Sequence, residues 1–240
     1  MNERVAVVTG ASSGIGLSIA GLLLARGYSV VATSRHATSS KVLGAATRLV
    51  LLDGDVGEAR TAERVMREVR SRFGKLDLLV NNAGNFLAKP FTDYSADDYA
   101  SLLSTNLAGF FHMTQHALRE MLRANSGHIV NIGTSFAAQP IASVPCALPS
   151  LIKGGIEAAT RSLSIEYAGR GIRINTIAAG IIDTPMHAKE NHGFLKGLSP
   201  ANRLGTAQEI AEAVVYLESA SFVSGEILHV DGGAHAGKWS

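Results

Sequence analysis

Short apolar, β-branched runs alternate with helix-length stretches from one end of this chain to the other, and that alternation leaves few folds open. Val5–Thr9, Ser29–Thr33, Arg48–Leu52, Leu76–Val80, His128–Ile132, Ile172–Ile177 and Ile227–Val230 read as strands. Ile15–Arg26, Glu58–Phe73, Ala96–Arg123, Ser150–Ala168 and Ala207–Glu218 read as helices. In the first of these Ile15, Ile19, Leu22 and Leu23 share a face, and Gly27, Gly74 and Gly169 stand at helix-stop positions. Several strands are apolar on both faces, the pattern of strands covered by helices on both sides. The expected architecture is a single-domain, doubly wound α/β fold over residues 1–240: a parallel sheet of about seven strands with helices on both faces. Residues 184–206 are the least regular stretch, and a long irregular segment inside a compact domain marks a candidate substrate lid.

Composition removes several function classes. With 46% hydrophobic and 18% charged residues the chain is not disordered in bulk. A net charge of +2 is not that of a nucleic-acid binder. Cys146 is the only cysteine, so no internal disulfide can form, and eight histidines without metal-ligand spacing make no metal site. No apolar run reaches the ~18 residues of a membrane span. A strand beginning at Val5 leaves no room for a signal peptide, so a cytoplasmic location is expected. The stretch from Arg4 to Leu52 contains no acidic residue but holds Arg4, Arg26, Arg35, Lys41 and Arg48, a bias that suits an anionic ligand.

The first strand runs into Thr9-Gly10-Ala11-Ser12-Ser13-Gly14-Ile15-Gly16 and then a helix. Glycines here allow a tight turn and bring backbone N–H groups and the helix dipole to a pyrophosphate. The spacing is Gly-x-x-x-Gly-x-Gly, and with it the sequence resembles the short-chain dehydrogenase/reductase family along its whole length. Asn81-Asn82-Ala83-Gly84 resembles that family's Asn-Asn-Ala-Gly signature, and Asn106 its helix-borne catalytic asparagine. Asp55-Val56 resembles the adenine-contacting pair, and Asp231-Gly232-Gly233 the C-terminal Asp-Gly-Gly. Ala179-Gly180-Ile181-Ile182-Asp183-Thr184 resembles the Pro-Gly-x-x-x-Thr segment, with Ala179 in place of proline. The resemblance implies a Rossmann-type fold and a nicotinamide cofactor held by Gly10, Ser12, Ser13, Gly14, Ile15, Gly16, Asp55, Val56, Asn82, Ala83, Gly84, Lys153, Gly180, Ile182 and Thr184.

An NAD site usually carries an acid about 20 residues past the glycine turn, on the ribose 2′-hydroxyl. Ala32-Thr33-Ser34-Arg35-His36 carries none there. Ser34 and Arg35 can instead hold a 2′-phosphate through hydrogen bonding and charge. NADP(H) is therefore expected.

The family's chemistry uses Asn, Ser, Tyr and Lys, with the Lys one helical turn after the Tyr. Lys153-Gly154-Gly155 fixes the lysine, but the residue four before it is Pro149. None of the seven lysines (41, 75, 89, 153, 189, 196 and 238) has a tyrosine four residues earlier. Thr134 takes the serine place in Asn131-Ile132-Gly133-Thr134-Ser135, with Ser135 as the alternative. Catalytic candidates are thus Asn106, Thr134, Ser135 and Lys153. Cys146, Ser150, His112, His116, His187 and His192 are the remaining proton-transfer groups near these motifs.

Two readings stay open. One is an NADP(H)-dependent oxidoreductase acting on a small carbonyl or alcohol with a substituted proton donor. The other is a nucleotide-binding sensor or scaffold with weak turnover or none. Small residues at helical spacing (Gly154, Ala158 and Ser162, beside Gly155 and Ala159) permit close helix approach, and the resemblance implies a homotetramer or dimer built partly on that helix.

Overall fold

The computed structural model describes residues 4–38, 47–187 and 192–237. Seven parallel strands form one sheet in the order β3-β2-β1-β4-β5-β6-β9. They are β1 (Val5–Thr9), β2 (Ser29–Ser34), β3 (Leu49–Asp53), β4 (Leu78–Asn81), β5 (Gly127–Thr134), β6 (Ile172–Ala179) and β9 (Ile227–Val230). Helices α1 (Gly14–Ala25), α2 (Ala59–Phe73), α3 (Ala96–Leu102), α4 (Gly109–Ala124), α5 (Ala147–Tyr167), α6 (His192–Lys196) and α7 (Ala207–Ser219) lie between them. Two short strands, β7 (Ile182–Asp183) and β8 (Gly205–Thr206), pair apart from the main sheet. This is the Rossmann-type doubly wound arrangement expected from the alternation.

Alternating side chains divide the core. Ala6, Val8, Val30, Ala32, Val80 and Ile177 face α1 and α7, where Ile19, Leu23, Ile210 and Val214 meet them. Val5, Val7, Val31, Leu79, Ile129 and Ile174 face the other side, against Val65, Val69, Met113 and Met121 of α2 and α4. Burial on both faces is why these strands carry no polar alternation. β5 and β6 run two residues further than expected, because Gly133 and Thr134 pair with Ala178 and Ala179.

Two helices depart from a plain reading. The stretch Ala96–Arg123 is not one α-helix: Leu103–Ala108 forms a π-helical turn between α3 and α4. Helix α5 starts at Ala147, earlier than expected, with Pro149 inside its first turn. Its first helical bond runs from Ser150 N to Cys146 O, 2.9 Å. The missing N–H of proline is therefore one that the first turn leaves unpaired anyway.

At the amino ends of the strands, opposite the site described below, lies a buried polar knot. His128 is 2% exposed. Its Nδ1 lies 2.7 Å from Glu218 Oε2 and its Nε2 accepts from Asn175 Nδ2 at 3.0 Å. The Nδ1–H tautomer satisfies both contacts. Tyr28 donates to Glu218 Oε1 at 3.1 Å and accepts from Arg4 at 2.9 Å. Burial pushes the His128 pKa down; Glu218 opposes this and the Arg173 charge adds to it.

An unfolded histidine titrates near ~6.5, above the native His128 value, so over that window the unfolded state binds more protons. Native stability from this residue is thus full at neutral pH and declines as pH falls below about 6.5. The melting temperature of the wild type should fall more steeply between pH 7 and 5 than that of His128→Gln, measured by differential scanning calorimetry. Parallel curves would remove His128 from the acid response.

Candidate active site

The chain leaves β1 toward β2 and β3, then returns to β4 and runs the other way through β5, β6 and β9. A crevice opens where the direction reverses, at the carboxyl ends of β1 and β4. Thr9 Oγ1 closes its floor by accepting from Asn82 N at 3.0 Å and Ala83 N at 2.9 Å and donating to Val80 O at 3.3 Å. Asn82 Nδ2 returns a bond to Thr9 O at 2.9 Å. Gly10 has φ +67°, and a Cβ on it would lie 2.8 Å from Asn82 Nδ2 and 2.9 Å from Ala83 Cα. Only glycine fits this stitch.

Helix α1 begins at the crevice. Its N-cap Ser13 makes no side-chain cap and its first turn holds no acid. The first-turn N–H groups are thus left for an anionic ligand.

The cleft above the stitch has a volume of about 400 Å³. Gly10, Ser12, Ser13, Gly14 and Ile15 border it from the glycine turn, and Ser34 and Arg35 from the end of β2. Asp55 and Val56, Asn82, Ala83 and Gly84, then Gly180, Ile182 and Thr184 complete its rim. Asn106, Thr134 and Lys153 border it as well. Two sequence candidates do not. Gly16 lies behind the turn, where a Cβ would collide with Gly10 O and Asn82 Nδ2, so its role is packing. Ser135 is buried in the short turn after β5, while Thr134 beside it reaches the cleft.

The β2 end fits a 2′-phosphate. Ser34 Oγ is buried there without a hydrogen-bond partner. The neighbouring carboxylate, Asp53, accepts from Thr38 N at 2.8 Å and Thr38 Oγ1 at 2.5 Å, and those bonds hold its pKa below the usual range. Asp53 does not border the cleft, whereas Arg35 does.

The other end holds the catalytic candidates Asn106, Thr134 and Lys153. Asn106 sits in the π-helical turn, and its Nδ2 donates to Leu102 O, Asn85 O and Asn85 Oδ1 at 3.0, 3.1 and 2.6 Å. Its Oδ1 is buried and unpartnered. A Cβ on Gly84 would lie 2.7 Å from that oxygen and 3.5 Å from Lys153 Nζ. Gly84 therefore keeps open the space that the two groups share. Lys153 Nζ donates to Ile132 O at 2.8 Å, and burial pushes its pKa down to about 8. Pro149 borders the cleft one turn before it.

Several cleft residues had no motif to announce them. Phe86 and Phe136 stack with ring centroids 5.8 Å apart and form an apolar wall with Pro185 and Met186. Asn85, Ser101 and Thr105 also border the cleft, and of the further proton-transfer candidates His187 does. These side chains arrive from loops, from α3 and from the π-helical turn, so no single spacing groups them in the sequence. Cys146, Ser150, His112, His116 and His192 do not border it. Among the described residues no group of three or more His, Cys, Asp or Glu side chains could hold a metal ion, and no helix is long and apolar enough to cross a membrane.

Residues 10–235 match the family model described as enoyl-(acyl carrier protein) reductase. The 3-oxoacyl-[acyl-carrier-protein] reductase FabG of Salmonella typhimurium is 36% identical, with 97% of each chain covered. The cis-4-hydroxycyclohexanecarboxylate dehydrogenase of Sinomonas cyclohexanicum is 37% identical, with 96% of each covered. Among solved structures, ElxO with NADP bound is 28% identical, with a TM-score of 0.91 over 99% of this chain and 100% of that one. A variant of actinorhodin polyketide ketoreductase with NADPH is 30% identical, with a TM-score of 0.90 over 97% of both chains. The chain belongs to the short-chain dehydrogenase/reductase family, a family of oxidoreductases acting on C=O and CH–OH groups.

Lys153 carries a buried charge that no carboxylate among the described residues pairs with. Its native pKa of about 8 lies below the unfolded value, so the unfolded state binds more protons between the two and stability rises with pH across that window. Lys153→Met should raise unfolding stability at pH 7 by about 2 kcal/mol and abolish the rise above pH 8. Urea denaturation at pH 7 and pH 9.5 reads both effects; a less stable variant would mean that the ammonium contributes net stability.

Proposed function

We propose that the protein is a cytoplasmic NADP(H)-dependent oxidoreductase moving a hydride between the nicotinamide and a small carbonyl or alcohol, with a proton donor other than tyrosine. The β2 end carries the proposal: an unpartnered buried Ser34 Oγ and Arg35 border the cleft where an NAD site would place an acid. The names of the relatives support it, since they include ketone reductases and structures with NADP or NADPH bound.

When bound, the cofactor supplies or accepts the hydride. Gly10, Ser12, Ser13, Gly14 and Ile15 hold its pyrophosphate at the N-terminus of α1, and Ser34 and Arg35 its 2′-phosphate. Asp55 and Val56 border the adenine. Asn82, Ala83, Gly84, Gly180, Ile182 and Thr184 hold the nicotinamide half, and Lys153 its ribose. Thr134 polarises the substrate oxygen, while the free Oδ1 of Asn106 and the Lys153 ammonium are placed to share a water.

Pro149 has neither a phenol nor an N–H, so the proton comes from elsewhere. A positioned acid or base contributes ~10²–10⁴-fold, so its loss alone slows hydride transfer without preventing it. Residues 184–206 serve as the lid, with exposed Met186 and Phe194 presenting apolar surface; residues 188–191 of it lie outside the described residues. Leu151 and Ile165 are exposed on α5 beside Gly154, Gly155 and Ala158, a surface suited to close approach of a second copy in a dimer or tetramer.

Pro149 also favours a second reading, a nucleotide-binding sensor or scaffold without turnover. Calorimetric titration separates the claims. NADPH should bind at least tenfold tighter than NADH, and Arg35→Asp should cost NADPH about 10- to 100-fold while sparing NADH. Equal affinities would end the NADP assignment. Wild type that binds NADPH but reduces no ketone, beside Pro149→Tyr that does, would establish the second reading. Light scattering that shows a monomer would remove the oligomer.

A further inference from the structure

A short-chain oxidoreductase without the tyrosine needs another group to exchange the substrate proton, and few candidates border the cleft. Among the described residues that do, the ones able to exchange a proton near neutral pH are His36, Asp55, Lys153 and His187. His36 and Asp55 follow β2 and β3, at the Arg35 end. Lys153 Nζ points at Ile132 O from beneath the cleft. His187 stands on the segment running on from β7, in a turn closed by its N–H to Thr184 O at 3.0 Å.

Behind His187 lie two further titratable groups. Both His192 and Asp183 act on it electrostatically. His192 Nε2 is buried without a hydrogen-bond partner and lies 3.7 Å from Asp183 Oδ1. The Asp183 side chain is 62% exposed. His187 thus borders the cleft, while Asp183, the most exposed of the three, lies outside its lining.

Resting on the oxidoreductase reading, we propose that His187 is the proton-transfer residue of this cleft, with His192 and Asp183 as positioning groups on its route to solvent. In alcohol oxidation the substrate O–H proton passes to the free imidazole nitrogen of His187. The C–H electron pair leaves as hydride to the oxidised nicotinamide, and the carbonyl forms. The imidazolium then loses its proton toward His192, Asp183 and water. Reduction runs the same steps backward.

Burial and the neighbouring His192 push the His187 pKa down, against the pull of Asp183. His187 is therefore neutral at pH 7, the form that accepts a proton. Oxidation should be flat at neutral pH and fall on the acid side below about 6.5.

The test compares wild type, His187→Gln and the double variant His187→Gln/Pro149→Tyr. Secondary alcohols (cyclohexanol first) and the matching ketones are the substrates, and NADPH binding is followed by fluorescence. The single variant should bind NADPH within about twofold of wild type, lose about 10²-fold or more in oxidation kcat and lose the acid limb. The double variant should regain turnover. An NMR titration of the His187 ring should give the same midpoint as the wild-type acid limb.

Unchanged kcat and pH profile in His187→Gln would overturn the assignment and leave the oxidoreductase reading standing. A parallel loss of NADPH binding would assign His187 to the cofactor instead. NADPH binding with no wild-type turnover on any alcohol or ketone would overturn the oxidoreductase reading and the His187 assignment with it.

Discussion

The bond set around Thr9 holds the two halves of this molecule in register. β1 and β4 are sequence-distant strands whose carboxyl ends must meet for the crevice to exist. One hydroxyl satisfies two backbone N–H groups of the β4 loop while bonding to Val80 O, and Asn82 bonds back to the end of β1. The two N–H groups are half-buried at the edge of the cleft, so losing Thr9 would take away their partner within the protein. The glycine turn depends on the same stitch, because Gly10 can approach Asn82 and Ala83 only without a Cβ.

From this point the site is assembled outward by chain reversals. A polar ladder beneath the crevice ties its central strands to the helices on one side. Asn81 Nδ2 donates to Thr114 Oγ1 and Asn131 Oδ1, both at 2.9 Å, and Asn131 Nδ2 donates to Thr160 Oγ1 at 3.0 Å. Thr160 and Thr176 are joined at 2.8 Å. Such a ladder fixes β4, β5, α4 and α5 relative to one another, and with α5 it fixes Lys153 against Ile132 O. At the far rim Gly180 lies against the Asp231 backbone, so the Asp-Gly-Gly segment after β9 positions the end of β6 through contact rather than chemistry.

The parts of this design that depend on local rules were legible in the sequence. Seven apolar runs gave seven strands: the central strands are buried on both faces, and the edge strands β3 and β9 are half-buried. The glycine turn was readable because its requirement, positive φ at Gly10 and Gly14 and no Cβ at Gly16, is met by one residue type. What depends on distant partners was hidden. The π-helical turn at 103–108 exists where Asn106 bonds to Asn85, 21 residues away, and helical periodicity carries no trace of it. The Phe86–Phe136 wall joins two loops, and the His128–Glu218 pair spans 90 residues. The choice between Thr134 and Ser135 as the cleft-facing hydroxyl turned on a change of direction at the end of β5 that sequence spacing alone does not reveal.

Pro149 separates two functions that a helical turn usually binds together. Because the first turn of α5 needs no N–H at that position, proline leaves the helix register intact and Lys153 remains where the sheet can hold it. Lys153 is thus held in the cleft although Pro149, one turn before it, offers neither a hydroxyl nor an N–H. A chain drifting toward a bare scaffold has no physical reason to keep a buried lysine ammonium with a pKa lowered to about 8, or an asparagine oxygen left unpartnered beside it. Both cost stability, on the order of a kcal/mol or more each. Retaining them is intelligible when a ligand or an ordered water completes their bonds, and this weighs toward a working site over an inert one.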